Sequence, residues 1–271
     1  MPDIPKRRRR RKPKDGEAKF SLAPQEIPQK TPQYTPEMQS IKAKAIANGT
    51  FMKAPNGNPT NLNERQWLQV RTKAFKEWFG DWENNPEKAS KVVDENGEPL
   101  VVYHGNRTDN KITTFDLSKK GTEHKERAIS GFWFTTDKDI AKEEYALKPE
   151  SRGRGIEYLQ YGEVIPVFLN IKNPIKTEQQ GITVRDTLYG ILTTAKEKLD
   201  DFINRSKTLA RENTDGYILT LVDSDNRADD FVSKQTQLVV FNPNQIKSAT
   251  DNTGEFSTVE DDIRLLSQNA T

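Results

Sequence analysis

The sequence predicts an α+β domain behind a polar, proline-rich N-terminal arm. Three observations carry this expectation. Short apolar runs of strand length are scattered between residues 100 and 241, one long stretch before the last run repeats at helical spacing, and an aromatic-rich helical segment leads into the strands. Strands and helices do not alternate in the βαβ order that a parallel sheet needs. The 271 residues can enclose a core without covalent staples. Cysteine is absent, which excludes disulfides, thiol nucleophiles and Cys-based zinc sites, and only His104 and His124 supply imidazole. No metal is therefore expected. No apolar run approaches the roughly 20 residues that span a bilayer, and no apolar segment follows the basic N-terminus, so neither membrane insertion nor Sec export is expected.

The elements follow in order. Residues 1–34 hold ten Lys/Arg against four Asp/Glu, while the remainder holds 32 against 36, so the arm is basic and the body net acidic. Seven of the 15 prolines fall in the first 36 residues among few apolar side chains, and this stretch cannot offset its ordering entropy. Within it Lys6, Arg7 to Arg11, Lys12 and Lys14 would attract a polyphosphate with little sequence preference. A solvated tail, a localisation signal and a virion-packaging arm remain open. In residues 35–61, Thr35-Pro36-Glu37 reads as a cap, a first-turn proline and a first-turn acid, with Met38, Ile41 and Ala45 on one face and Gly49 as a stop. Turn residues from Ala54 to Pro59 act as a linker. Trp67, Val70, Phe75, Trp78, Phe79 and Trp82 then form the helical lead-in. Strands are expected at Leu100 to Tyr103, Phe132 to Phe134, Val164 to Leu169 and Leu238 to Phe241. Between the last two, Val184, Leu188, Ile191, Leu192, Ala195, Leu199, Phe202 and Ile203 predict a helix capped by Thr183. Residues 258–271 read as a tether or frayed tail.

Three short motifs bear on chemistry. Tyr103-His104-Gly105-Asn106 ends a strand. Gly131-Phe132-Trp133-Phe134-Thr135, followed by Asp137, Ala141 and Tyr145, reads as a strand entering a helix. A third strand begins at Gln237, a polar amide ahead of Leu238-Val239-Val240-Phe241. Each alone is compatible with a core histidine, core packing or an edge strand. In this order they resemble the His-Tyr-Glu signature of ADP-ribosyltransferases of the diphtheria-toxin and poly(ADP-ribose) polymerase class. With Phe75-Lys76-Glu77-Trp78-Phe79-Gly80-Asp81-Trp82-Glu83, Ser90-Lys91-Val92-Val93-Asp94 and Gln245-Ile246-Lys247-Ser248-Ala249, residues 62–257 are similar to the ADP-ribosyltransferase domain of polyvalent proteins from phages and conjugative elements.

That resemblance implies a split, bent pair of antiparallel sheets with flanking helices and an NAD cleft between them. It implies that His104 binds the adenosine ribose, that Gly105 offers its backbone to the nicotinamide carboxamide, and that Trp133 and Tyr145 supply aromatic faces for nicotinamide. Asn106, Gly131, Phe134, Thr135 and Ala141 would complete the NAD-binding set, and Gln237, His104 and Tyr145 the catalytic one. Trp133 stands at the signature tyrosine, the Ala141 to Tyr145 gap is one residue longer than usual, and Gln237 replaces glutamate. A carboxylate stabilises the positive charge that develops on the ribose better than an amide does. The implied function is a slow NAD-dependent mono-ADP-ribosyltransferase of phage or mobile-element origin. It would act in a bacterial cytoplasm, or be packaged in a virion, on an unidentified macromolecular acceptor, in first place a protein. An NAD-binding pseudoenzyme and a packaged nucleic-acid-binding protein are the alternatives, with an RNA 2′-phosphotransferase more remote. Asp223, Asp225, Asp229 and Asp230 lack the order of a calcium loop, and Gly153-Arg154-Gly155 lacks the context of a phosphate loop. His124 reads as a surface residue that would cover the cleft if its loop closes.

Overall fold

A computed structural model describes residues 34–119, 131–148, 159–180, 212–222 and 234–264 except 253 and 255, with a few positions between 201 and 209. All of them belong to one unit, Tyr34–Thr271. The arm up to residue 33, His124, Gly153 to Gly155, the apolar positions of the helix expected from Val184 to Ile203, and Asp223 to Asp230 lie outside the described residues.

Helix α1 (Pro36–Ala47) begins as its cap residues dictate, with Thr35 Oγ1 accepting from the Met38 amide at 3.2 Å. The helical lead-in consists of two helices. Asn63 and Gln66 close a reciprocal capping box at the start of α2 (Glu64–Gln69), and Thr72 caps α3 (Lys73–Phe79), so the chain restarts its helix after Val70. Met38, Ala45, Trp67, Phe75, Trp78, Phe79 and Phe256 share one apolar cluster that Phe168 joins from the sheet. Segment 35–61 is thus built into the domain, and Tyr34, placed in the arm on sequence grounds, packs against the same cluster. Arg71 fastens this layer. Its guanidinium lies 3.8 Å from the Trp67 ring centre and 5.0 Å from that of Trp82, and it bridges Glu98 at 2.8 Å and Glu83 at 3.2 Å.

Seven strands form a mixed sheet: β1 (Val102–Asn106), β2 (Phe132–Thr135), β3 (Glu163–Leu169), β4 (Pro174–Gln180), β5 (Gly216–Val222), β6 (Lys234–Val240) and β7 (Ile246–Ser248). Their order is β4-β5-β6-β2-β1-β3-β7. The expectation of purely antiparallel pairing needs correction, because β4 pairs parallel with β5. The chain between them, residues 181–215, is long enough for the crossover that a parallel pair requires. The third strand also starts earlier than expected. Gln237 is its fourth residue, since Lys234, Gln235 and Thr236 pair with Val222, Leu221 and Thr220 of β5, a strand not singled out in the sequence. Strands β1 and β2, at the middle of the order, share a single register pair, Tyr103 with Thr135.

Strand alternation divides the apolar residues between clusters. Val102, Phe115, Phe132, Phe134, Leu238 and Val240 belong to one, and Tyr217, Leu219, Leu221 and Val239 to another, with Trp133 and Tyr145 against the latter. The first part of the tail expected from residue 258 is corrected as well, and residues 265–271 lie outside the described residues. Ile263 is buried in the first of these two clusters, its amide donates to Thr113 O at 2.9 Å, and its carbonyl accepts from Ser248 N at 2.8 Å. Lys247 of β7 is buried and holds the same segment, its Nζ donating to Glu260 O at 2.5 Å and Asp262 O at 3.3 Å. Burial lowers the pKa of this ammonium. An apolar anchor and backbone bonds outweigh the fraying that a polar sequence suggests.

Candidate functional site

The residues of interest gather where β1 and β2 meet. On β1 the side chains of Val102 and His104 project opposite to those of Tyr103 and Gly105. The His104 ring lies edge-on to Phe115, with centroids 5.0 Å apart, and 5.4 Å from Phe134. Its Nδ1 is 2.8 Å from Trp133 O. A carbonyl only accepts, so Nδ1 carries the proton and the ring is held to β2.

Beyond β2 the chain turns into a short helix whose start is local chemistry. Asp137 Oδ1 accepts from the amides of Asp139 at 2.8 Å and Ile140 at 3.1 Å, and Thr135 Oγ1 accepts from the Asp137 amide at 3.2 Å. One helical turn, α4 (Lys138–Ile140), continues as a π turn over Ala141–Tyr145, closed by Ala146 N donating to Ala141 O at 2.9 Å. A π turn is a helical turn widened by one residue. The four-residue step from Ala141 to Tyr145 lies within it. The widened turn sits directly over Gly105, where a Cβ would come within 2.3 Å of Ala141 O and 2.5 Å of Tyr145 Cβ. Glycine at this position is required by the protein's own packing. Gly131 is constrained likewise, since a Cβ there would approach Val239 Cγ1 to 2.3 Å.

Gln237 pairs with Thr135 of β2 on one side and Leu219 of β5 on the other, and it is 3 % exposed. Its Oε1 accepts from the Tyr145 hydroxyl at 3.1 Å, 92 residues away in sequence. Its Nε2 is buried and finds no hydrogen-bond partner among the described residues. An orphaned buried amide costs about 1–3 kcal/mol unless something else completes it. Burial holds the Tyr145 pKa far above the ordinary phenol value; the nearby Glu144 charge adds to the shift and Arg107 opposes it. The phenol therefore stays neutral and donates. Burial also raises the pKa of Tyr103, with Asp137 adding to it.

The structure thus joins Tyr145 to Gln237, Gly105 to Ala141 and Tyr145, and His104 to the backbone of Trp133. The His104 ring packs on Phe115 and Phe134, which belong to a different apolar cluster from the one that Trp133 and Tyr145 pack against. Phe134 and Ala141 are fully buried packing residues. The Asn106 side chain is engaged in the turn after β1, with Nδ2 donating to Asn110 O at 2.8 Å and Oδ1 accepting from Thr108 N at 3.1 Å. Two neighbours escaped sequence reasoning. Arg107 and Glu144 act electrostatically on Tyr145, and only the adjacency of Arg107 to Asn106 and of Glu144 to Tyr145 could have flagged them. Among the described residues, no group of three or more His, Asp or Glu could hold a metal ion, and no helix is long and apolar enough to cross a membrane.

A neutral phenol, a buried amide with a spare donor, an indole and an oriented imidazole suit a ligand that brings a flat aromatic portion and an acceptor oxygen. Residues 94–256, more than half of the chain, match the family model described as ADP-ribosyltransferase in polyvalent proteins. No match was found among curated proteins or among solved structures.

Proposed function

The chain belongs to the family of ADP-ribosyltransferase domains in polyvalent proteins, and on that premise we propose that it binds NAD at the junction of β1 and β2 and transfers a single ADP-ribose slowly to a macromolecular acceptor. The single register pair between β1 and β2 supports a split sheet that admits NAD there. Trp133 and Tyr145 hold the nicotinamide, His104 the adenosine ribose, and the backbone of Gly105 the carboxamide. Asn106, Gly131, Phe134, Thr135 and Ala141 shape these groups from behind. In the reaction the ribose C1′–nicotinamide bond breaks and its electron pair leaves with neutral nicotinamide. A lone pair of the acceptor forms the new bond to C1′ and the acceptor loses a proton.

The observation that carries this reading is the Tyr145–Gln237 pair with its orphaned Nε2. A ribose hydroxyl oxygen would complete that donor. Donation to the ribose withdraws electron density, whereas glutamate would accept from the same hydroxyl and stabilise the cationic sugar. Slow turnover follows, and a pure NAD-binding role is the second reading that the same observation favours. Gln237→Glu separates them. It is expected to raise nicotinamide release by at least about tenfold, because the carboxylate acts on the transition state specifically. Release that stays at background from a folded variant that binds NAD would exclude a transferase and leave the binding module.

A further inference from the structure

Gln237 and Glu differ in more than charge, because an amide has two unlike ends and something must decide which of them meets the ligand. The phenol proton of Tyr145 has one acceptor among the described residues, Gln237 Oε1 at 3.1 Å. Reversing the amide would turn Nε2 toward the phenol and leave both Oε1 and the phenol proton to seek new partners. One orphaned group would become two, and each costs when buried. Tyr145 is itself placed by the π turn, which Ala146 N closes on Ala141 O at 2.9 Å and which packs closely against Gly105. Gln237 is fixed by its register with Thr135 and Leu219 in the middle of the sheet.

We propose that Tyr145 is a positioning residue that sets the direction of the Gln237 amide, so that the site presents an N–H donor, and that the ligand atom facing it is an acceptor oxygen. This deepens the NAD reading and rests on it for the identity of that oxygen, a hydroxyl oxygen of the nicotinamide ribose. The aromatic ring of Tyr145 serves stacking whether or not it carries a hydroxyl. The hydroxyl serves Gln237.

The test uses the full chain and three variants, Tyr145→Phe, Gln237→Glu and the double variant, each checked for an unchanged cooperative melt. The Gln237 side-chain amide protons are identified in a ¹⁵N spectrum by their loss in Gln237→Glu. In the wild type they should be sharp and separated by slow rotation, and in Tyr145→Phe they should broaden or shift. Calorimetry with NAD should show Tyr145→Phe weakening affinity roughly three- to tenfold, the equivalent of one ordinary hydrogen bond. In the Gln237→Glu background the same change should cost at least threefold less, because a carboxylate has two equivalent oxygens and no direction to set. Equal losses in the two backgrounds, or amide signals that ignore Tyr145→Phe, would overturn the proposal. An amide that responds to Tyr145→Phe in a chain that binds no NAD would sustain the positioning role and overturn the NAD reading instead.

Discussion

Gly105 and His104 show how far a residue's role depends on what packs against it. The sequence accounts for Gly105 by ligand access, yet a Cβ there meets Ala141 O and Tyr145 Cβ first. Gly105→Ala should therefore cost about 1–3 kcal/mol through overpacking. It should also displace Tyr145 from Gln237. Urea titration reads the first effect and NAD titration the second; an alanine variant of wild-type stability would mean that the π turn can retreat freely. His104 also does two things. Its Nδ1–H binds Trp133 O and its ring packs on Phe115 and Phe134, so His104→Ala should lower stability by about 1 kcal/mol or more in addition to weakening NAD binding. Equal NAD affinity in wild type and a folded variant would remove His104 from the binding site.

Elements in this chain are defined as much by their partners as by their own residues. The polar segment Lys234-Gln235-Thr236 becomes the start of β6 because β5 offers it a complete ladder, and this moves Gln237 from a strand end to the interior of the sheet. The step from Ala141 to Tyr145 forms a π turn that packs over Gly105 and carries the Tyr145 hydroxyl to Gln237. At the C-terminus, residues 260–263 run beside β7 with Ile263 as the apolar anchor and Lys247 as the tie. Ile263→Ala is expected to destabilise by about 2–5 kcal/mol, the range for truncating a buried aliphatic side chain. A loss under about 0.5 kcal/mol in a urea titration would restore the reading of this segment as a loose tail.

For the molecule as a whole, charge separates the arm from the body. The arm's basic run at Lys6 to Lys14 is proposed to bind nucleic acid, while the domain that follows is net acidic. Because Tyr34 packs into the domain, the informative deletion is residues 1–33. It should leave NAD binding unchanged and abolish salt-sensitive association with duplex DNA. Neutralising six to eight phosphates would give a log-log salt slope of about −5 to −7, at about 0.9 per contact. A shallow slope, or equal binding by the truncated chain, would direct attention to another acidic partner.

Local sequence determined the cap at Thr35, the apolar runs of β1, β2 and β3, and the motif pattern that resembles the ADP-ribosyltransferase family. The cap and the apolar runs depend on residues within a few positions of one another, so periodicity and turn chemistry suffice to read them; the motif pattern extends from Tyr103 to Phe241 and is legible as a resemblance to the family. Which residues of the candidate site touch was decided only by the tertiary structure. Tyr145 and Gln237 lie 92 residues apart and meet because β2 pairs with β6 while the π turn folds back over Gly105. The amide's spare donor, the unfavourable ionisation of Tyr145 and the influence of Arg107 and Glu144 arise from that enclosure, because desolvation is a property of the assembled site and not of any one residue.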